Sequence, residues 1–109
     1  MSTTDLNALA DELLDTASLA SSGREMRAFH GAPGGSLTQL VLALVAGRAL
    51  SDHENPGQAT LQVLRGRVEL ATADEQWQLE PGGYLVIPQQ RHQLTALEDS
   101  VVILTVVKS

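Results

Sequence analysis

Two histidines, His53 and His92, are the side chains of this sequence best suited to chemistry. Imidazole exchanges protons near neutral pH, donates and accepts hydrogen bonds, and ligates divalent metals. His53 sits inside GRALSDHENPGQATLQVLRG, which runs from Gly47 to Gly66, and His92 closes GGYLVIPQQRH, which begins at Gly82. Asn55, two residues past His53, adds an amide that can both donate and accept. Asp52 and Glu54 flank His53 and point away from it in an extended strand. A turn at Asn55-Pro56-Gly57 would be needed to bring Glu54 or Gln58 inward. His30, beside a Gly/Pro turn, reads as a surface residue.

Other chemistries are missing from the sequence. It has no cysteine, which excludes disulfides, thiolate metal sites and cysteine nucleophiles. It has no Gly-x-Ser-x-Gly elbow, and the glycine-rich turn from Gly31 to Gly35 lacks the Lys-Ser/Thr and helix of a phosphate loop. Seven basic residues against thirteen acidic ones give a net charge of −6. Nucleic acid is therefore not an expected partner, because phosphate-backbone binding runs on Lys and Arg. Only three aromatics, Phe29, Trp77 and Tyr84, are present, too few to stack bases. Arg65 and Arg67 flank one turn and read as a solvated hairpin tip. The first fifteen residues are acidic and lack the basic and apolar regions of a signal peptide, and Leu40 to Ala46 is too short to span a bilayer. A cytoplasmic protein with no membrane partner is expected.

The 109 residues, 43% hydrophobic and 18% charged, suit one globular domain with one core. Leu6, Leu9, Ala10, Leu13, Leu14 and Ala17 recur at helical spacing, with Thr4 or Asp5 as the cap and Ser21-Ser22-Gly23 as the end. This predicts a helical segment over 1–23 ahead of a β domain over 24–109, within one structural domain. Its apolar stripe must cover either its own domain or a neighbouring subunit. Strands are predicted at Glu25–His30, Leu37–Val45, Ala59–Leu64, Val68–Ala73, Gln76–Leu79, Tyr84–Ile87, Gln93–Ala96 and Val101–Val107, with a hairpin through Arg65-Gly66. Many short strands with Gly/Pro turns describe an all-β barrel or sandwich. Leu37–Val45 is apolar enough to be buried on both faces, with Gln39 expected at a pocket or near an open edge. VVILTVV would aggregate as a free edge, so it is either central in a sheet or covered by a second copy, which predicts a homodimer.

The two glycine-bounded stretches resemble the two motifs of the cupin superfamily, in particular the small single-domain conserved-barrel cupins. In the first, Gly47, His53 and Gly66 are in register, while Asn55 stands at the second histidine position and Ala59 at the glutamate position. In the second, Gly82, Pro88 and His92 match. Its proline-to-histidine turn is one residue short and lacks glycine, and Ala96 stands at the asparagine position. The resemblance covers roughly Leu37 to Val107 and implies a cupin-like jelly-roll β-barrel with one N-terminal helix. It also implies a metal site of three histidines and a glutamate, of which this sequence keeps His53 and His92 as candidate ligands for Zn, Ni, Mn or Fe, completed by Asn55, by water or by a substrate. If Ala59 points inward, so do Leu61 and Val63, and Gln62 points away.

These readings lead to a domain that binds a small organic molecule in the barrel through His53, Asn55 and His92, with or without catalysis. Two alternatives stand beside it. One is a metal-dependent cupin enzyme, a dioxygenase or isomerase by resemblance, using His53 and His92. The other is a sensing or interaction module that contacts a partner through the N-terminal helix. A last reading has the histidines only satisfying each other or backbone groups.

Overall fold

The computed structural model describes residues 3–31, 34–53 and 57–108, with the backbone alone at 51–53 and 108. Among the described residues one helix, α1 (Leu6–Leu19), precedes nine strands: β1 (Arg24–His30), β2 (Leu37–Leu44), β3 (Ala49–His53), β4 (Gly57–Arg65), β5 (Val68–Ala71), β6 (Gln76–Leu79), β7 (Tyr84–Val86), β8 (His92–Ala96) and β9 (Ser100–Lys108). They form two antiparallel sheets, a five-stranded sheet in the order β1-β2-β9-β4-β7 and a four-stranded sheet in the order β3-β8-β5-β6. From β2 onward the chain changes sheet at every link except β5–β6. This is the all-β jelly-roll with one N-terminal helix that the sequence predicts.

Alternation decides what each strand buries. In the large sheet Leu42, Leu44, Ala59, Leu61, Val63 and Val102 turn inward. They meet Val68, Leu70, Leu79, Leu94 and Ala96 of the small sheet. Gln62 lies on the exposed face, as the parity of Ala59 requires. The opposite face of the large sheet carries Val41, Ala43, Val101 and Ile103, which pack under Ala10, Leu13 and Ala17 of α1. The second half of β2, Val41 to Leu44, is thus buried on both faces because the barrel takes one and the helix the other. β9 lies between β2 and β4, central in its sheet.

Asp5 caps α1, its carboxylate accepting from the Asn7 and Ala8 amides at 3.0 and 3.1 Å. Arg27 pairs with Glu12 at 3.0 Å. Arg65 pairs with Asp11 and donates to the Asn7 carbonyl at 3.1 Å. Arg65 is therefore a half-buried tie to the helix and not a solvated hairpin tip.

The link through Gly66 is also not a hairpin. β4 pairs with β7 and β9, whereas β5 pairs with β6 and β8, so the turn carries the chain from one sheet to the other. The apolar faces of β4 and β5 meet across the core, and side-by-side pairing would have left one of them in water. Buried Ser100 pins this crossing: its hydroxyl accepts from the Arg67 amide at 3.1 Å, and its single proton is shared between the Arg67 and Glu98 carbonyls, 3.0 and 2.7 Å away. β3, given no strand by pattern, pairs with β8. Gln39 lies on the outer face and donates to Thr105 Oγ1 at 3.2 Å, so it does not line the barrel. Thr38, in step with Leu40 and Leu42, takes the inward position at that end.

Gly66 has φ +81°, and a Cβ there would run into the Asp99 carbonyl and Ser100 Oγ. Gly82 has φ +88°, and a Cβ added there would meet nothing within 4 Å. Gly82→Ala should therefore cost only the backbone term, about 1–2 kcal/mol, in urea unfolding. Gly66→Ala should cost clearly more, about 3 kcal/mol or above, because backbone and buried hydroxyl must move as well.

Candidate functional site

The two glycine-bounded segments are paired twice. In the large sheet β4 of the first lies against β7 of the second, with Thr60 opposite Val86 and Gln62 opposite Tyr84. In the small sheet β3 of the first lies against β8 of the second, with His53 opposite His92. Each segment therefore crosses from one sheet to the other at the same end of the barrel. The Ile87 amide donates to the Ala59 carbonyl at 2.9 Å, which continues the β4–β7 ladder beyond the strand. Gln89 Nε2 then donates to the Gly57 carbonyl at 2.8 Å and fastens the second crossing to the first residue of β4.

The register of β3 is what puts the histidines together. Leu50 pairs with Leu94 and His53 with His92, so three steps along β3 match two along β8. That irregularity, an extra residue of the kind that makes a β-bulge, places His53 directly across from His92. A strand without it would have set Asp52 there. The side chain of His53 and the whole of Asn55 and Glu54 lie outside the described residues. Any inward turn of Glu54 does too. The structure thus joins His53 to His92 through the backbone and describes the side chain of His92 alone.

His92 continues the inward parity of Leu94 and Ala96 and is half-buried. Its Nδ1 lies 3.0 Å from the Gln90 carbonyl. A carbonyl oxygen only accepts, so Nδ1 carries the proton, and in the neutral ring Nε2 carries the lone pair. This is the tautomer that accepts a hydrogen bond, takes a proton, or ligates through Nε2.

The wall across from it offers no such chemistry. Ala59, 7% exposed, belongs to the barrel cluster and puts a methyl group where the metal-binding motif has a carboxylate. Leu40, Leu50, Trp77, Leu85, Leu104 and Val106 pack against the same cluster and are partly buried. Among the described residues no three His, Cys, Asp or Glu side chains converge. Among the described residues no carboxylate stands at the metal position of the motif, where Ala59 is. Gln89, the Gln90 carbonyl and Thr38 are the contributors that pattern reading missed. The parity of β2 could have found Thr38; nothing local marks Gln89, whose partner is 32 residues away.

Comparison with solved structures places this fold among known ones. A conserved protein of unknown function from Streptococcus pyogenes is 26% identical, with 83% of this chain and 78% of that one covered and a TM-score of 0.73. A cupin superfamily protein from Desulfitobacterium hafniense is 16% identical, covering 85% and 87%, with a TM-score of 0.74. A cupin-2 domain containing protein from Shewanella frigidimarina is 18% identical and covers 97% of this chain and 95% of its own, with a TM-score of 0.71. The fold is that of a small cupin domain. No protein-family model matches the sequence, and a search of curated proteins finds no match. No helix among the described residues is long and apolar enough to cross a membrane.

The His92 tautomer is directly measurable. Two-bond proton–nitrogen NMR spectra at a pH where the ring is neutral should show the proton on Nδ1. A proton on Nε2 would mean that the Gln90 contact does not set the ring.

Proposed function

We propose that this cupin-fold domain binds a small, largely apolar organic molecule at the histidine end of its barrel and needs no metal to do so. The observation that carries the reading is Ala59, a methyl group inside an apolar wall where a metal centre would need its carboxylate. Ligand pockets in barrels hold their occupants by apolar contact and orient them with a few polar groups. His92 supplies an acceptor at Nε2, with His53 and Asn55 as the further hydrogen-bonding groups. A ligand bearing one hydroxyl or amine donor on an apolar body suits that arrangement.

The metal-dependent reading, a dioxygenase or isomerase, rests on His53 standing across from His92 and on the His92 tautomer. Two histidines without a carboxylate make a weak site. The interaction-module reading loses its motive, because the apolar stripe of α1 is already spent on Val41, Ala43, Val101 and Ile103.

The test starts from untagged protein. Elemental analysis should find no stoichiometric Mn, Fe, Ni or Zn, and adding these ions should leave the melting temperature unchanged. A panel of small alcohols, amines and phenols should contain a ligand that raises it, by about 2.7 kcal/mol of stability at a hundredfold excess over Kd. His92→Ala should abolish that rise. A metal-induced rise that His92→Ala or His53→Ala removes would overturn the metal-free reading. Ala59→Glu asks the converse question. It should lower stability by burying a carboxylate, and recover it on adding metal only if the missing ligand is what keeps metal out.

A further inference from the structure

The barrel is filled unevenly along its length. Strand pairing sets its inward side chains in layers, two residues apart along each strand. Toward the end away from the histidines Leu42, Val63, Val68, Ala96 and Val102 are buried. One layer nearer, Leu40 pairs with Leu104 in the large sheet, and both are only partly buried. Each is on a strand flanked on both sides, so the water that touches them reaches them from inside the barrel. The small sheet completes this middle layer with the row Leu50, Leu94, Leu70 and Trp77. His92 stands one layer above, two residues along β8 from Leu94.

Trp77 is the aromatic side chain of that layer. Phe29 packs with the helix cluster, and Tyr84 is on the exposed outer face. Trp77 sits on β6, an edge strand, opposite Leu70 and with the same inward parity as buried Leu79. It packs against the barrel cluster and keeps part of its surface free. Among the described residues no acceptor takes its indole N–H, and that nitrogen is not buried. Indole joins an apolar ring to one polar corner, and here only the ring is engaged.

We propose that Trp77 is the aromatic wall of the ligand site and that the ligand is a single planar ring bearing a hydroxyl or amine, a phenol or an arylamine. This rests on the reading of the histidine end as a small-molecule site and gives its ligand a class. Spacing is one support. β6 lies two strands from β8, and Trp77 one layer below His92, about 9.6 Å across and 6.8 Å along, or about 12 Å from backbone to backbone. An imidazole and an indole fill most of that span and leave room for one ring between them. Composition is the other. Leu61 and Leu85 continue the layer in the large sheet, so every other described side chain in it is leucine, which accepts any apolar body. The indole adds an offset or edge-on contact that only another ring returns, and its N–H a donor for the ring's substituent.

Titration of the full chain with phenol, aniline and cyclohexanol is the test. Trp77 is the one tryptophan of the chain, so tryptophan fluorescence and the indole N–H resonance report on this position alone. Phenol and aniline should shift both saturably, and calorimetry should find phenol bound roughly three- to tenfold more tightly than cyclohexanol. Trp77→Leu should erase that preference and leave cyclohexanol bound as before, whereas Trp77→Phe should keep most of it. Should Trp77→Leu fail to fold, nuclear Overhauser contacts between the wild-type indole and the phenol ring decide the matter, and their absence overturns the proposal. Binding that His92→Ala removes, but that leaves the indole signals unmoved or treats phenol and cyclohexanol alike, overturns the role of Trp77 and leaves the histidine-end site standing. Binding by none of the three overturns the proposal as well; the reading beneath it falls only if the wider panel of alcohols and amines also fails.

Discussion

β9 has to be covered twice. Its sequence, VVILTVV, is apolar at both parities, so neither face can be given up to water without exposing a row of β-branched side chains. The fold answers by setting Val102, Leu104 and Val106 into the barrel and Val101 and Ile103 under the helix. The position of α1 follows from that need. So does the central place of β9 between β2 and β4, where its backbone groups are paired on both sides. The barrel end that carries the histidines then depends on this frame, because β4 is held along β9 and in turn holds β7.

The site is built from the same pairing. β4 and β3 belong to one glycine-bounded segment and β7 and β8 to the other, and the two segments pair once in each sheet. Two stretches far apart in sequence are thereby forced to turn over the same rim. The histidines meet there because each is at the end of a strand that pairs with the other's, not because either is adjacent in sequence to anything that attracts it. The clasp from Gln89 to Gly57 and the bond from His92 to Gln90 then fix the second crossing and its ring.

Much of this was legible in the sequence, and the rest was hidden for physical reasons. The stripe of α1 and the parity of Ala59, Leu61 and Val63 are local periodicities, and both are where the pattern puts them. The hairpin through Arg65-Gly66 failed because a glycine turn looks the same whether its strands pair side by side or face each other across a core. The pocket alternative for Gln39 failed because polarity alone does not say which face a residue occupies; Thr105, 66 residues on, is what satisfies it. β3 was missed because ALSDH lacks alternation, and its pairing with β8 carries an irregularity that no single strand reveals. Each failure concerns a long-range partner, the kind of information that periodicity does not hold.

The two glycine-bounded segments carry two kinds of requirement, and this chain separates them. Gly47, Gly66 and Gly82 have φ of +86°, +81° and +88°, a region that costs any other side chain free energy whatever the protein does. Those positions are demanded by the path of the chain. The ligand positions are demanded only by what is bound. A carboxylate at position 59 would be buried, and without a metal to pair with it would be a charge stranded among leucines and valines. A methyl group there costs nothing and packs with Leu61 and Val63. The glycines are therefore required by strain in any chain that follows this path, whereas a carboxylate at position 59 is favoured only where there is a metal to hold.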